Sequence, residues 1–251
     1  MTLTITPDVP AVAAGGVLNA ASNATGQPVA PGSLVSIYGS HLADALIQAS
    51  SVPLLTKLGN TSVTFNGIAA PLCFVSSGQI NAQVPWEVTG STADMVVTNG
   101  GAPSAPVSVP LTTAGPGIFV TGSQAIAYGN WDYVFAAAPG AIPGLITHPA
   151  RIRDPATLVI LATGLGPVDL PVETGNSAPI DGILRRTVTT PVVKVGGVQA
   201  QVVFSGMSTY VGVYQINIVI QPGTPTGDAV PLTITMNGIT SNAPTIAVSN
   251  D

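Results

Sequence analysis

Charge is what this sequence has least of: 7% of its residues are Asp, Glu, Lys or Arg, against about 25% in ordinary soluble domains. The six basic residues, Lys57, Arg151, Arg153, Arg185, Arg186 and Lys194, form no stripe that could track phosphates, and the net charge is −5. Nucleic acid is therefore excluded as a partner. A surface so poor in charge also has little like-charge repulsion to keep copies apart, which favours self-association. Cysteine occurs once, so no internal disulfide forms, and Cys73 sits where a strand alternates inward, as a small buried hydrophobe does. Two histidines and one cysteine, remote from one another, give no zinc spacing. No apolar run approaches the roughly 20 residues that span a bilayer, and Met1–Gly16 lacks the basic flank and long apolar core of a signal peptide.

Catalytic constellations are equally scarce. No G-x-S-x-G pentapeptide offers an exposed nucleophile. The bases available, His41 and His148, both fall in expected loops, so a triad would need His148, Asp154 and an unidentified serine brought together across loops. So few acids give no reason to choose a glycosidase pair. Asp169, Glu173 and Asp181 share one long loop with Arg185 and Arg186, and their spacing matches no calcium site; a solvated, ion-paired loop is expected there. The sequence therefore implies no catalytic residue, no metal and no cofactor.

What is present is β-sheet text. Glycine (28) and proline (23) together make about a fifth of the chain, interleaved with Val, Thr, Ser and Asn, a composition of short strands and many turns. The stretch Val63–Trp86 organises the rest. Asn66-Gly67 accepts positive φ at both positions of a type I′ hairpin turn, and Gln79–Val84 alternates polar and apolar until Pro85 ends the ladder. The unit recurs as Val192–Gly206 and Val213–Gly223, with Leu158 answering to Leu34, Gly197 to Gly67, Gln215 to Gln79 and Gly238 to Gly100. Asn99-Gly100 and Asn237-Gly238 are read as the closing hairpin turns, and 168–186 as an extra loop of the second copy. Within 41–58, the text around LADALIQASS predicts one helical turn. The resulting division is an N-terminal strand and linker (1–30), a first sandwich (31–112), a Gly/Ala/Pro-rich connector packing between domains (113–154) and a second sandwich (155–251).

These residues carry a resemblance. VTFNGIAAPLCFVSSGQINAQVP, with SLVSIYG before it and NGGAPSAPVSV after it, resembles the IPT/TIG immunoglobulin-like fold. Together, GGVLNAAS, APGSLVSIYGSHLA, GQINAQVPWEV, GPGIF and LATGLGPV resemble an uncharacterised carboxy-terminal module of large secreted soil-bacterial proteins of acidobacterial type. The resemblance implies an all-β chain of two tandem IPT/TIG-like sandwiches that is secreted or held at the cell surface; it implies no activity.

Three function classes stay open, the third being a secreted hydrolase built on such a cross-loop triad. One is a non-catalytic structural or adhesion module that assembles with copies of itself or another surface protein. Its candidate assembly strand carries Leu3 and Ile5 on one face and Thr2, Thr4 and Thr6 on the other. The alternative is a polysaccharide-binding module with Trp86, Trp131, Tyr128, Tyr133 and Tyr210 as stacking platforms. Against it stands the expectation that the connector aromatics plug the seam between domains and that Trp86 is a core plug.

Overall fold

Alternating burial drives the architecture. In Thr61–Phe65 the side chains of Thr61, Val63 and Phe65 turn inward while Ser62 and Thr64 stay partly open, the period-two pattern of a strand with one face on a core. The computed structural model describes residues 9–153 and 157–250, and these contain strands and turns but no helix. The protein is all-β, with two immunoglobulin-like sandwiches in tandem.

The first sandwich packs a sheet ordered Ala11–Asn19, Leu34–Ser40, Gln79–Gln83, Leu72–Val75 and Ile47–Gln48 against one built on Thr92–Asn99, Thr61–Phe65 and Lys57–Leu58. The Asn66–Gly67 turn, at φ +50° and +79°, folds Thr61–Phe65 back on Ile68–Ala69. The chain then crosses at Pro71 into the opposite sheet, so the organising stretch supplies strands to both layers. Val35, Ile37, Val63, Phe65, Leu72, Ile80, Met95 and Val97 are fully buried between them, each such side chain contributing about 1.5–3 kcal/mol of transfer free energy.

The second sandwich repeats these pairings. Leu158–Thr163 pairs with Tyr214–Val219, which pairs with Gln201–Met207; opposite them, Gly227–Met236 joins Val192–Val195 and Thr245–Ser249. Ile160, Val193, Val195, Tyr214, Ile216, Ile218, Leu232 and Ile234 fill the space between. The register corrects two correspondences. Tyr38 pairs with Gln79, whereas Leu161 pairs with Gln215, so Leu161 stands where Tyr38 does and Leu158 answers to Val35 rather than Leu34. Similar letters one residue apart had hidden this slip, which a period-two strand does not tolerate because it exchanges the two faces. Likewise the closing turn of the first sandwich is Gly100–Gly101, at φ +58° and +87°, and not Asn99-Gly100. Asn99 stays in its strand because its Nδ2 donates to Asp44 Oδ1 at 2.8 Å.

Three segments differ from expectation. The helical turn in 41–58 is absent: Ile47–Gln48 and Lys57–Leu58 pair instead as short edge strands. An isolated helical turn fixes several residues for one hydrogen bond, and a waiting sheet edge outcompetes it. Gly15–Gly16 is a bulge within Ala11–Asn19, where a Cβ on Gly16 would lie 2.7 Å from the Tyr38 carbonyl oxygen. The segment before the second sandwich is structured too. Gly117–Ile118 and Ala127–Gly129 run antiparallel along Leu158–Thr163, as Ala11–Asn19 runs along Leu34–Ser40. The strand expected near residues 2–9, with Leu3 and Ile5, falls almost wholly in 1–8, outside the described residues.

The halves are fastened by buried polar contacts. Thr163 Oγ1 accepts from the Leu34 amide at 2.9 Å and donates to the Gly212 carbonyl at 2.6 Å. The extra 168–186 loop lays Thr174 and Gly175 on the first sandwich. The Gly175 amide donates to Gln83 Oε1 at 2.7 Å, its carbonyl accepts from the Leu54 amide at 2.8 Å, and Thr174 Oγ1 accepts from the Trp86 amide at 3.0 Å.

Candidate functional site

The site is built on the turn between Ala127–Gly129 and Phe135–Ala136. Asn130 through Val134 must reverse in a few residues, and Asp132 sets the reversal: its Oδ1 accepts from the Val134 amide at 3.0 Å, an Asx-type contact that stands in for a backbone turn bond. The Tyr133 amide donates to the Gly129 carbonyl at 3.0 Å, and the Gly129 amide donates to the Val134 carbonyl at 3.0 Å. Tyr133 is held at φ +57°, a left-handed conformation unusual for an aromatic residue. The Asn130 amide ties the loop to the Thr157 carbonyl at 2.9 Å.

This bracing presents aromatic rings to solvent. Trp131 is 86% exposed and Tyr133 72% exposed. The expectation that the connector aromatics plug the seam is thus overturned for both, because the turn points them away from either core. The Tyr128 ring lies 6.2 Å from those of Tyr133 and Phe135 and is half-buried. Burial raises the Tyr128 pKa above its ordinary value, and the hydroxyls of Tyr210 and Tyr133 raise it further. Tyr210, itself largely exposed, therefore belongs to the same neighbourhood although it arrives from another loop. Trp86 stands apart. Its ring is partly buried against the core of the second sandwich and fills the place a Cβ on Gly32 would take.

Beside Trp131 opens a cleft of about 590 Å³, floored by Leu158, Ile218 and Ile220 and walled by Asp132, His148 and Arg151. Thr147–His148 pairs in parallel with Phe135–Ala136, which carries His148 to the turn. His148 Nε2 meets Asp132 Oδ2 at 2.6 Å, and Nδ1 meets the Pro149 carbonyl oxygen at 3.0 Å. Both neighbours are acceptors, so both ring nitrogens are best served as donors, which describes an imidazolium. The Pro149 carbonyl first and the Asp132 carboxylate second raise the His148 pKa. Burial works against ionisation of Asp132, but the Val134 amide and His148 outweigh it and hold the carboxyl below its ordinary range.

Signs follow from these directions. The raised His148 adds stability that is complete below its unfolded value of about 6.5 and is lost as pH rises through its higher folded value. The lowered Asp132 adds stability above its unfolded value of about 3.9 that is lost as pH falls through its folded one. The turn is therefore best braced between about pH 4 and 6.5. Both side chains are more than a third exposed, so the pair is worth at most about 1 kcal/mol and orders the turn more than it stabilises the fold. Proton NMR titration of His148 is expected to give a pKa above the usual histidine value that falls back in Asp132→Asn. An unmoved titration in that variant removes Asp132 as the cause.

Among the described residues Asp132 is the acid His148 meets; Asp154 lies outside them. Each ring nitrogen of His148 faces an acceptor, Asp132 Oδ2 on one side and the Pro149 carbonyl oxygen on the other. The acidic loop does not gather. Asp181 binds Arg185 through contacts of 3.0 and 2.8 Å, Asp169 Oδ1 caps the amides of Leu170 and Arg186, and Glu173 meets Asn176. Among the described residues no three potential ligands cluster for a metal ion. Cys73 is intermediate in exposure, and burial pushes its thiol up to about 11, which keeps it protonated and inert. Asp132 and Arg151 are the site residues that sequence reasoning missed. The triplet Trp131-Asp132-Tyr133 was a visible turn signal, but nothing in its spacing announced a histidine sixteen residues on.

Comparison with known proteins places residues 17–113 in the IPT/TIG domain family, a match to less than half of the chain. No curated protein matches the sequence. Among solved structures, the chain is similar to SGBP-B of the Bacteroides ovatus mixed-linkage glucan utilization locus in complex with a mixed-linkage heptasaccharide, at 12% identity and TM-score 0.36, over 98% of this chain and 46% of that one. It is also similar to the surface glycan-binding protein PbSGBP-B of Prevotella bryantii, at 12% identity and TM-score 0.30, over 97% and 43%. A third is the S-layer protein SbsC, domains 5–6, at 12% identity and TM-score 0.28, over 95% and 98%. The chain spans less than half of the first two, and likenesses of this size say nothing of what it binds. Among the described residues no helix is long and apolar enough to cross a membrane.

Proposed function

We propose that this chain is a non-catalytic module, displayed at or beyond the cell surface, that binds polysaccharide through the 128–135 aromatic turn and the cleft beside it. The observation that carries this reading is that Trp131 and Tyr133, large apolar rings, stand almost fully exposed on a turn fixed by Asp132, Gly129 and Asn130. Leaving such rings in water forgoes burial of roughly 150–250 Å² each, and a rigid turn avoids most of the ordering cost when a flat ligand covers them. Sugar rings offer flat C–H faces for the indole and hydroxyls for the polar wall. Trp86 is left out of the platform because its ring is engaged at the seam.

The test is retention on a panel of insoluble and gel-immobilised glycans. Wild type is expected to be retained on at least one. Trp131→Ala is expected to weaken that retention about tenfold or more while moving Tm by no more than about 2 °C, since the removed ring touches no core. Wild type retained on no glycan, or Trp131→Ala retained equally well, overturns the reading. Assembly through the amino-terminal strand rests on Leu3 and Ile5, which lie outside the described residues.

A further inference from the structure

The walls of the cleft have a charge balance that narrows the ligand. Among the described residues three ionisable side chains line it: Asp132, His148 and Arg151. The first two form an ion pair when His148 is protonated, with Nε2 2.6 Å from Asp132 Oδ2. Arg151 is exposed and carries no ion pair or side-chain hydrogen bond among the described residues, yet it is not loosely placed: Ala150–Arg151 pairs in parallel with the closing Thr245–Ser249 strand. The arginines of the 168–186 loop, by contrast, are engaged, Arg185 by Asp181 and Arg186 over the Phe204 ring at 5.2 Å. Thr157 also lines the cleft, with its Oγ1 buried and without a hydrogen-bond partner among the described residues.

Resting on the polysaccharide reading above, we propose that the preferred ligand is acidic, a polysaccharide bearing sugar carboxylates, with one carboxylate received by Arg151 while the adjoining ring stacks on Trp131. A guanidinium offers two parallel N–H donors that match a carboxylate's two oxygens, a geometry no hydroxyl reproduces. The protein's net charge of −5 opposes an acidic ligand at long range, but beyond about 8–10 Å that repulsion is screened at physiological salt, and inside that distance the cleft's own balance of one positive charge decides. The imidazolium matters here too. When His148 loses its proton, Asp132 is no longer neutralised, the balance falls to zero, and the preference for an acidic ligand weakens.

The experiment compares polygalacturonate and alginate with their methyl esters, which keep the sugar and remove the charge, on affinity gels at moderate salt. A neutral β-glucan and a sulfated galactan serve as further arms. Wild type is expected to be retarded about fivefold more strongly by the acids than by the esters, the ratio of one well-placed exposed charge pair. The preference is expected to shrink at pH 8 relative to pH 5.5 and with added salt. Arg151→Gln is expected to treat acid and ester alike, and Arg151→Lys to recover part of the difference. Equal retardation by acid and ester in wild type overturns the inference but leaves the polysaccharide reading standing if Trp131→Ala abolishes both. A preference that survives in Arg151→Gln, or retention on the sulfated galactan with none on either carboxylate polymer, overturns it as well. Retention on none of the polymers overturns both.

Discussion

Replacing Thr163 by valine, which keeps the shape and removes one hydroxyl, is expected to cost about 3 kcal/mol and to lower Tm by roughly 6–12 °C in a chain of this size. Thr163 is fully buried, and its Oγ1 both accepts from the Leu34 amide and donates to the Gly212 carbonyl. Valine strands a donor on one sandwich and an acceptor on the other, each worth about 1–3 kcal/mol when buried and unmet. Thr163→Ser keeps the hydroxyl and is expected to recover most of the loss. Urea unfolding followed by tryptophan fluorescence reads the difference, because Trp86 sits at the same seam. Thr163→Val within about 0.5 kcal/mol of wild type would show that the bridge is not what fastens the halves.

That bridge marks the boundary of what was legible in the chain itself. Strand identity was readable where a local rule suffices: Asn66–Gly67 adopts the positive φ values these two residue types accept, and residues 79–82 bury alternate side chains as their letters alternate, Gln83 breaking the pattern because its buried Oε1 accepts from the Gly175 amide. Register was less readable, because Leu34-Val35 and Leu158-Val159 look alike while hydrogen bonding sets them one residue out of step. Turn position slipped for a related reason, since Asn99 has a better use for its amide in Asp44 than in the turn. The site was legible only by half. Trp131, Tyr133 and Tyr210 stand out as aromatics in loops, and the structure leaves them exposed. Trp86 was expected as a plug and packs on a core, whereas the connector aromatics were expected at the seam and Trp131 and Tyr133 instead face solvent. The Asp132–His148 contact and the free Arg151 arise from a parallel pairing of two-residue strands, too short to leave a periodic trace.

Gly32 and Trp86 should be strongly coupled. Gly32 lies at φ +79°, and a Cβ there would fall 2.2 Å from both Cζ2 and Cη2 of the Trp86 ring. Gly32→Ala is expected to cost about 3 kcal/mol, of which about 1 is the left-handed backbone and the rest is the displaced indole. Trp86→Ala alone is expected to cost about 2–4 kcal/mol, since it removes a large, partly buried side chain from the second sandwich's core while its amide bond to Thr174 survives. In the double variant the overlap no longer exists, so Gly32→Ala should add only its backbone term of about 1 kcal/mol. The cycle then closes with a coupling of about 2 kcal/mol, far outside the few tenths seen for independent sites. Simple additivity would mean that the ring moves aside freely and does not lock the seam. The same proteins also separate the two tryptophans by role. At a temperature where Trp86→Ala remains folded it should bind glycan as wild type does, whereas Trp131→Ala should lose binding without losing stability. A chain with two tryptophans then holds one for the joint between its domains and one for the ligand, and the partner across from each ring decides which is which.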